Sequence, residues 1–207
     1  MLSRIFYEDP TPSALFAALK LMSDNSPMFT LVEYGQDRPI YGIHIGSSEN
    51  KTLLIGDGHA EAALLLLQFA EKLLYCLNTN HLLLDVDITR VLSRRSAVII
   101  PCISPQAPCT SLSDAADYAC DVLSSLSPQR LYIFSASNDF SLEYCNTSNT
   151  SRLMAGILAS AYGCTSHSCT ASMGSCSCPS FRILSKCTCG VSPYPRTEEV
   201  MLLSLML

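Results

Sequence analysis

The chain has 207 residues, a formal net charge of −5, 48% apolar residues and only 15% charged ones. That length and apolar content suit one α/β domain with a sizeable core and exclude a disordered chain. The thirteen Lys and Arg are scattered without a basic stripe, so nucleic acid is not expected as a partner.

The opening stretch, MLSRIFYEDPTPS, has no apolar h-region, so no signal peptide is expected. The nearly uncharged run 62–70 and the tail VMLLSLML are both too short to span a bilayer. A soluble, cytoplasmic protein with no membrane contact is therefore expected. Seven of the eleven cysteines lie beyond residue 140. In a reducing compartment they would act as small apolar fillers or as metal ligands.

Thr11-Pro12 reads as an N-cap followed by proline at the first helical position, opening a helix that runs to about Ser23. MFTLVEY (28–34) and PIYGIHIG (39–46) read as strands joined by a turn at GQDR. TLLIGDG (52–58) reads as a short buried strand. The leucine-rich run 60–77 reads as a long helix packed across a sheet, with no evident cap at its end. SAVIIPCISP (96–105) is a buried strand ended by proline, and 111–127 is an amphipathic helix opened by Ser113. RLYIFSAS (130–137) and SLEYC (141–145) are strands. The helix at 150–162 has Gly163 after its end. Residues 164–180 are rich in Ser, Cys and Thr and read as irregular, FRILSKCTC (181–189) as strand-like, and 196–207 as a last helix. Strands alternating with helices predict a three-layer α/β/α domain with a mixed central sheet, and no boundary divides residues 1–207 into two cores.

Four strings carry a resemblance: RPIYGIHIG at 38–46, TLLIGDGHAEA at 52–62, AVIIPCISP at 97–105 and SLSPQRLYIFSAS at 125–137. In order and spacing they resemble the zinc carboxypeptidase family, most closely its bacterial branch acting on cell-wall peptides. The resemblance covers most of residues 28–207 and weakens beyond 160. It implies a single zinc held by His-x-x-Glu and a distant His, an Arg and an Asn-Arg pair for the substrate carboxylate, a Tyr, and a Glu as general base. Two imidazoles and one carboxylate leave a coordination position for water, whose pKa the metal lowers.

Carried over residue by residue, the resemblance gives His59 as the first ligand, but Ala62 stands at the second position. The third falls on Ala136, or on Ser135 with a shift of one. The general-base position lies near Leu184, where no carboxylate occurs. Ser104-Pro105-Gln106-Ala107 replaces the family's Asn-Pro-Asp-Gly, and the segment bearing the aspartate and the Asn-Arg pair is missing. Glu61 sits one place early. One helical position is about 100° of rotation, so Glu61 would reach the metal only if the preceding loop bent to compensate. The string therefore reads as the remnant of a metal site, and no catalytic residue or cofactor is expected.

The expected product is a catalytically inactive relative with a cleft for a peptide or small anion. Its rim would be His59, Glu61, Ser104, Gln106, Ser135, Ser137 and Asn138, where carboxyl ends of neighbouring strands meet. Two alternatives stand beside it. One is an active metallocarboxypeptidase or peptidoglycan-peptide hydrolase with displaced zinc ligands. The other is a metal-binding or thiol-dependent protein using Cys164, Cys169, Cys176, Cys178, Cys187 and Cys189 with His167. The Cys-x-Cys spacing of that segment suits small residues alternating on strand faces better than zinc knuckles. His44 is expected to face the surface of its strand and His81 to be solvated. Arg38 would fix a turn. Arg90, Arg94 and Arg95 would form a solvated face or an anion-binding patch. Asp85, Asp87, Glu198 and Glu199 read as surface charge, the last two also favouring a helix dipole, and Asp114, Asp117 and Asp121 as the wet side of a helix.

Overall fold

The computed structural model describes residues 3–8, 11–34, 39–103, 126–136, 141–145, 148–169, 178–185 and 195–207. Two helices lead the chain, α1 (Ser3–Glu8) and α2 (Pro12–Asp24). Thr11 caps α2 as its sequence implies, its Oγ1 accepting from the Ala14 amide at 3.3 Å, and Ala14, Leu15, Ala18, Leu19 and Met22 form the buried stripe. Strands β1 (Phe29–Tyr34), β2 (Ile40–Ile45) and β3 (Lys51–Gly56) follow. Next come α3 (Ala60–Thr79), α4 (Ile88–Leu92), β4 (Ser96–Ile100), β5 (Arg130–Ala136) and β6 (Ser141–Cys145). The chain closes with α5 (Asn149–Tyr162), β7 (Thr165–Cys169), β8 (Ser180–Ser185) and α6 (Pro195–Met206).

The eight strands form one mixed sheet in the order β1-β2-β4-β3-β5-β8-β6-β7. Its centre, β4-β3-β5-β8, is parallel, while β2 and β6 run against it on either side. Parallel strands covered on both faces need apolar side chains throughout, and all five residues of β4 are buried. One face carries the larger core, where Leu54, Ala97, Ile99, Tyr132 and Phe134 meet Leu66, Phe69 and Leu73 of α3 together with residues of α2, α5 and α6. The other face carries a smaller core of Leu53, Ile55, Val98, Ile100, Leu131 and Ile133, against which Leu126 packs. The helix expected at 111–127 otherwise lies outside the described residues, as do Arg38 and its turn. No helix among the described residues is long and apolar enough to cross a membrane.

Several local readings change. α3 is not capless: Asn80 closes it in the left-handed conformation at φ 55°, a role Asn fills more readily than other non-glycine residues. Asp87 is not mere surface charge, because it caps α4 by accepting from the Arg90 amide at 3.1 Å. Residues 165–169, expected to be irregular, form β7, which pairs in parallel with β6 over all five residues. Thr-Ser-His-Ser-Cys has no apolar alternation, and its strand exists through that pairing at the sheet's edge. The short helices α1 and α4 have no periodic signal of their own.

Candidate functional site

From β3 the chain passes to β4 on one side, whereas from β5 it passes toward β6 on the other. The carboxyl ends of β3 and β5 therefore flank the point where the connections part, the usual place for a cleft in such a sheet. Backbone bonds hold these ends together. The Asp57 amide donates to the Phe134 carbonyl and the Ile103 amide to the Gly56 carbonyl, each at 3.1 Å. This brings the stretches at 55–62, 101–103 and 134–136 to one end of the sheet. Gly56 is required there, since a Cβ would lie 1.9 Å from the Pro101 carbonyl oxygen.

Asp57 is the residue that sequence reasoning missed. It is 1% exposed, and its Oδ1 receives the His59 amide at 3.2 Å and lies 3.0 Å from His59 Nδ1. That contact requires the proton on Nδ1, which leaves the Nε2 lone pair open in the neutral ring. The other carboxylate oxygen, Oδ2, is buried without a partner. His59 is the residue preceding α3, with extended backbone and no side-chain capping bond, and its ring is about one third exposed. Gly58 takes φ 105°, a value that lets the loop fold the two side chains together. An Asp two residues before a His, across a glycine, is the signal present in the sequence.

The other predicted residues are distributed as follows. Glu61 lies in the first turn of α3, and Ala62 is buried at 1% exposure. Ser135 is buried and pairs in register with Leu184, and Ala136 pairs with Ser185. Ser135 is not a free rim residue, because its Oγ accepts from Arg182 Nε at 2.8 Å. Arg182 also lies 3.6 Å from Glu143. Ser104, Gln106, Ser137 and Asn138 lie outside the described residues.

The donor set does not fit a catalytic zinc. Ala62 and Ala136 offer methyl groups where the resemblance requires ligands, and Leu184 offers no carboxylate. Asp57 and His59 are two donors already engaged with one another. Among the described residues there is no group of three His, Cys, Asp or Glu able to hold a metal ion. Cys76, Cys102 and Cys178 are buried thiols, and burial pushes the half-buried Cys164 thiol up from its ordinary pKa, away from reactivity. Cys176, Cys187 and Cys189 lie outside the described residues. His167 is exposed on β7, its Nε2 3.0 Å from the Thr165 hydroxyl. His81 is exposed, as expected, with its ring 5.5 Å from that of Tyr75. His44 departs from expectation: it is half-buried, its Nε2 has no partner, and burial followed by the Lys51 charge lowers its pKa.

The fold and the strand-end geometry define a carboxypeptidase-like α/β architecture. Among solved structures, thrombin activatable fibrinolysis inhibitor aligns with a TM-score of 0.67 and 11% identity over 95% of this chain and 73% of its own. A metallo-carboxypeptidase from Burkholderia cenocepacia aligns with a TM-score of 0.60 and 13% identity over 92% of this chain and 66% of its own. An aspartoacylase family protein from Mesorhizobium loti aligns at 0.52 and 11%, over 87% and 61%. The chain thus spans about two thirds of the length of these bacterial structures. No family profile matches the sequence, and neither does any curated protein. At such identities the likeness is one of fold.

Proposed function

We propose that residues 1–207 form a single carboxypeptidase-like domain without peptidase activity, a soluble cytoplasmic protein that keeps a cleft for a peptide or small anion at the carboxyl ends of β3 and β5. The observation that carries this reading is the burial of Ala62 at 1% exposure, in the position where the resemblance calls for the second metal ligand. A methyl group packed into the core supplies no donor, and Ala136 and Leu184 remove the remaining ligand and the base. Asp57 supports the same reading, since it fixes the His59 ring by a direct contact of 3.0 Å and needs no metal to do so. The open Nε2 of His59 and the exposed third of its ring then serve as a hydrogen-bonding group for a ligand.

Metal analysis of the purified protein without added metal tests the proposal, together with hydrolysis of a peptide panel with and without chelator. The expected result is no stoichiometric zinc and no chelator-sensitive hydrolysis. One tightly held zinc per chain that disappears in the His59→Ala variant would establish the active reading with displaced ligands. Zinc that survives that substitution would point to the cysteine-rich segment.

A further inference from the structure

At the opposite end of the sheet, the amino ends of the parallel strands gather unpaired polar groups on one face. Side chains two apart on a strand share a face. Thr52 therefore faces with Leu54, and Arg130 with Tyr132, toward the larger, helix-covered core, while Arg95 immediately precedes β4 at the same end of the sheet. Thr52 and Arg130 are direct neighbours in the register of β3 and β5, and Thr52 is also paired with Ala97, two residues beyond Arg95. Thr52 and Tyr132 are 0% exposed. Their hydroxyl oxygens and Arg95 Nη1 are buried without a hydrogen-bond partner. Among the described residues, Arg130 Nη1 reaches only the neutral Asn50 side chain, at 3.3 Å. Among the described residues neither guanidinium has a carboxylate in ion-pair reach.

Groups of this kind are seldom left so. A buried hydroxyl without a partner destabilises the fold, and two arginines without a counter-charge repel. The repulsion is felt here. Burial first, and then the nearby Arg95, disfavour the charge on Arg130. Burial pushes the Tyr132 phenol up and keeps its proton on, while both guanidiniums pull the other way, which places the hydroxyl within reach of their field. The remaining cationic groups of this region, His44 and Lys51, pair with Val98 and Ser96 and so stand on the other face.

We propose that Arg95 and Arg130, with the hydroxyls of Thr52 and Tyr132 beneath them, form a binding site for one small tetrahedral oxyanion of the phosphate or sulfate class. The site is separate from the strand-end cleft and does not rest on the reading of that cleft. The anion supplies what every unpaired donor lacks, an acceptor with several lone pairs and a negative charge. Guanidinium forks match its oxygens in pairs, and two hydroxyls complete its coordination.

Calorimetric titration of the full-length protein with inorganic phosphate, and separately with sulfate, against sodium chloride at matched ionic strength, tests this. Saturable binding of one phosphate or sulfate per chain is expected. It should weaken about tenfold or more in Arg95→Gln and Arg130→Gln, the loss of a charge-assisted fork. Tyr132→Phe keeps the ring stacked on Phe181 at 5.0 Å and removes only the hydroxyl, so it should fold and bind several-fold more weakly. This variant decides the matter if the arginine variants do not fold. Leu153→Ala, at an exposed residue of α5 that belongs to neither site, should bind phosphate as the wild type does. Absence of saturable binding by the wild type, binding unchanged in Tyr132→Phe and the arginine variants, or binding lost in Leu153→Ala would each overturn the proposal.

Discussion

Gly56→Ala is the change to which this fold should be least tolerant. The added Cβ would lie 1.9 Å from the Pro101 carbonyl oxygen and 2.9 Å from its carbon. Even a close C···O contact needs about 3.3 Å, so the ends of β3 and β4 must part by about 1.4 Å. Neither neighbour is the far end of a flexible side chain; both are backbone. Overpacking of this kind costs about 1–3 kcal/mol. Parting the strand ends also stretches the Ile103 amide–Gly56 carbonyl bond, where Ile103 is 2% exposed, and an orphaned buried pair costs about 1–3 kcal/mol more. The sum is about 2–6 kcal/mol, against a total of about 5–15 kcal/mol for a typical domain. Gly156→Ala is the matched control. Gly156 lies inside α5, and a Cβ there meets nothing within 4 Å, so the same chemical change should stabilise by about 0.5–1 kcal/mol. Urea unfolding followed by far-ultraviolet circular dichroism gives both values from midpoints at constant slope. If Gly56→Ala stayed within about 1 kcal/mol of wild type with an unchanged slope, the close approach of β3 and β4 and the site geometry built on it would be wrong.

Ala62→Glu restores the carboxylate that the family pattern calls for, but into a position 1% exposed. It should destabilise by several kcal/mol, as an unpaired buried carboxylate does, and should not recruit stoichiometric zinc, as read by thermal melting and metal analysis. Leu66→Ala removes a fully buried side chain of α3 and should cost about 2–5 kcal/mol, whereas Leu153→Ala, at a residue 67% exposed, should stay within about 0.5 kcal/mol of wild type in the same urea titration. His44 should make stability fall in acid. Its folded-state pKa is lowered from 6.5, so the unfolded chain binds the proton more readily. The contribution is complete above pH 6.5 and is lost as pH falls through the lower folded value. Melting temperatures of wild type and His44→Gln across that range should converge in acid, and parallel curves would rule this out.

The parallel centre of the sheet was legible because burial on both faces leaves an unmistakable record. Strands such as Ser96–Ile100 are apolar from Ala97 onward and buried throughout, and a twenty-residue helix that covers them cannot disguise its leucines. β7 was not legible, because Thr165–Cys169 becomes a strand only by pairing with β6, an interaction between residues more than twenty apart. Asn80 acts through its left-handed backbone and Asp87 through its short polar side chain, each at a helix end where a single residue carries the whole signal. The ends of the parallel strands were legible, since glycine and proline mark where β3 and β4 stop. The central contact at those ends was not. Asp57 and His59 are two apart, a spacing with no shared face on a helix, and only the positive φ of Gly58 closes it.

On the proposed reading, that contact also accounts for how these strand ends hold together without a metal. In a working metal centre the ion ties several strand ends together, so loss of the ligands would free them. Here the ends are tied otherwise. The Asp57 amide is bound to β5 and the Gly56 carbonyl to the stretch after β4, each at 3.1 Å, while the Asp57 carboxylate fixes His59 at the start of α3. Each of these is a bond of the chain with itself. An alanine at position 62, where the resemblance calls for a ligand, is therefore compatible with this frame and brings no buried donor that would need satisfying. The prediction that separates this account from a metal-tied frame is simple to state. Chelator should not lower the melting temperature, whereas Asp57→Ala, which cuts the tie to His59 and leaves its Nδ1 unpaired, should lower it by several degrees. A melting temperature that drops on chelation and recovers with zinc would show that a metal holds these strand ends after all.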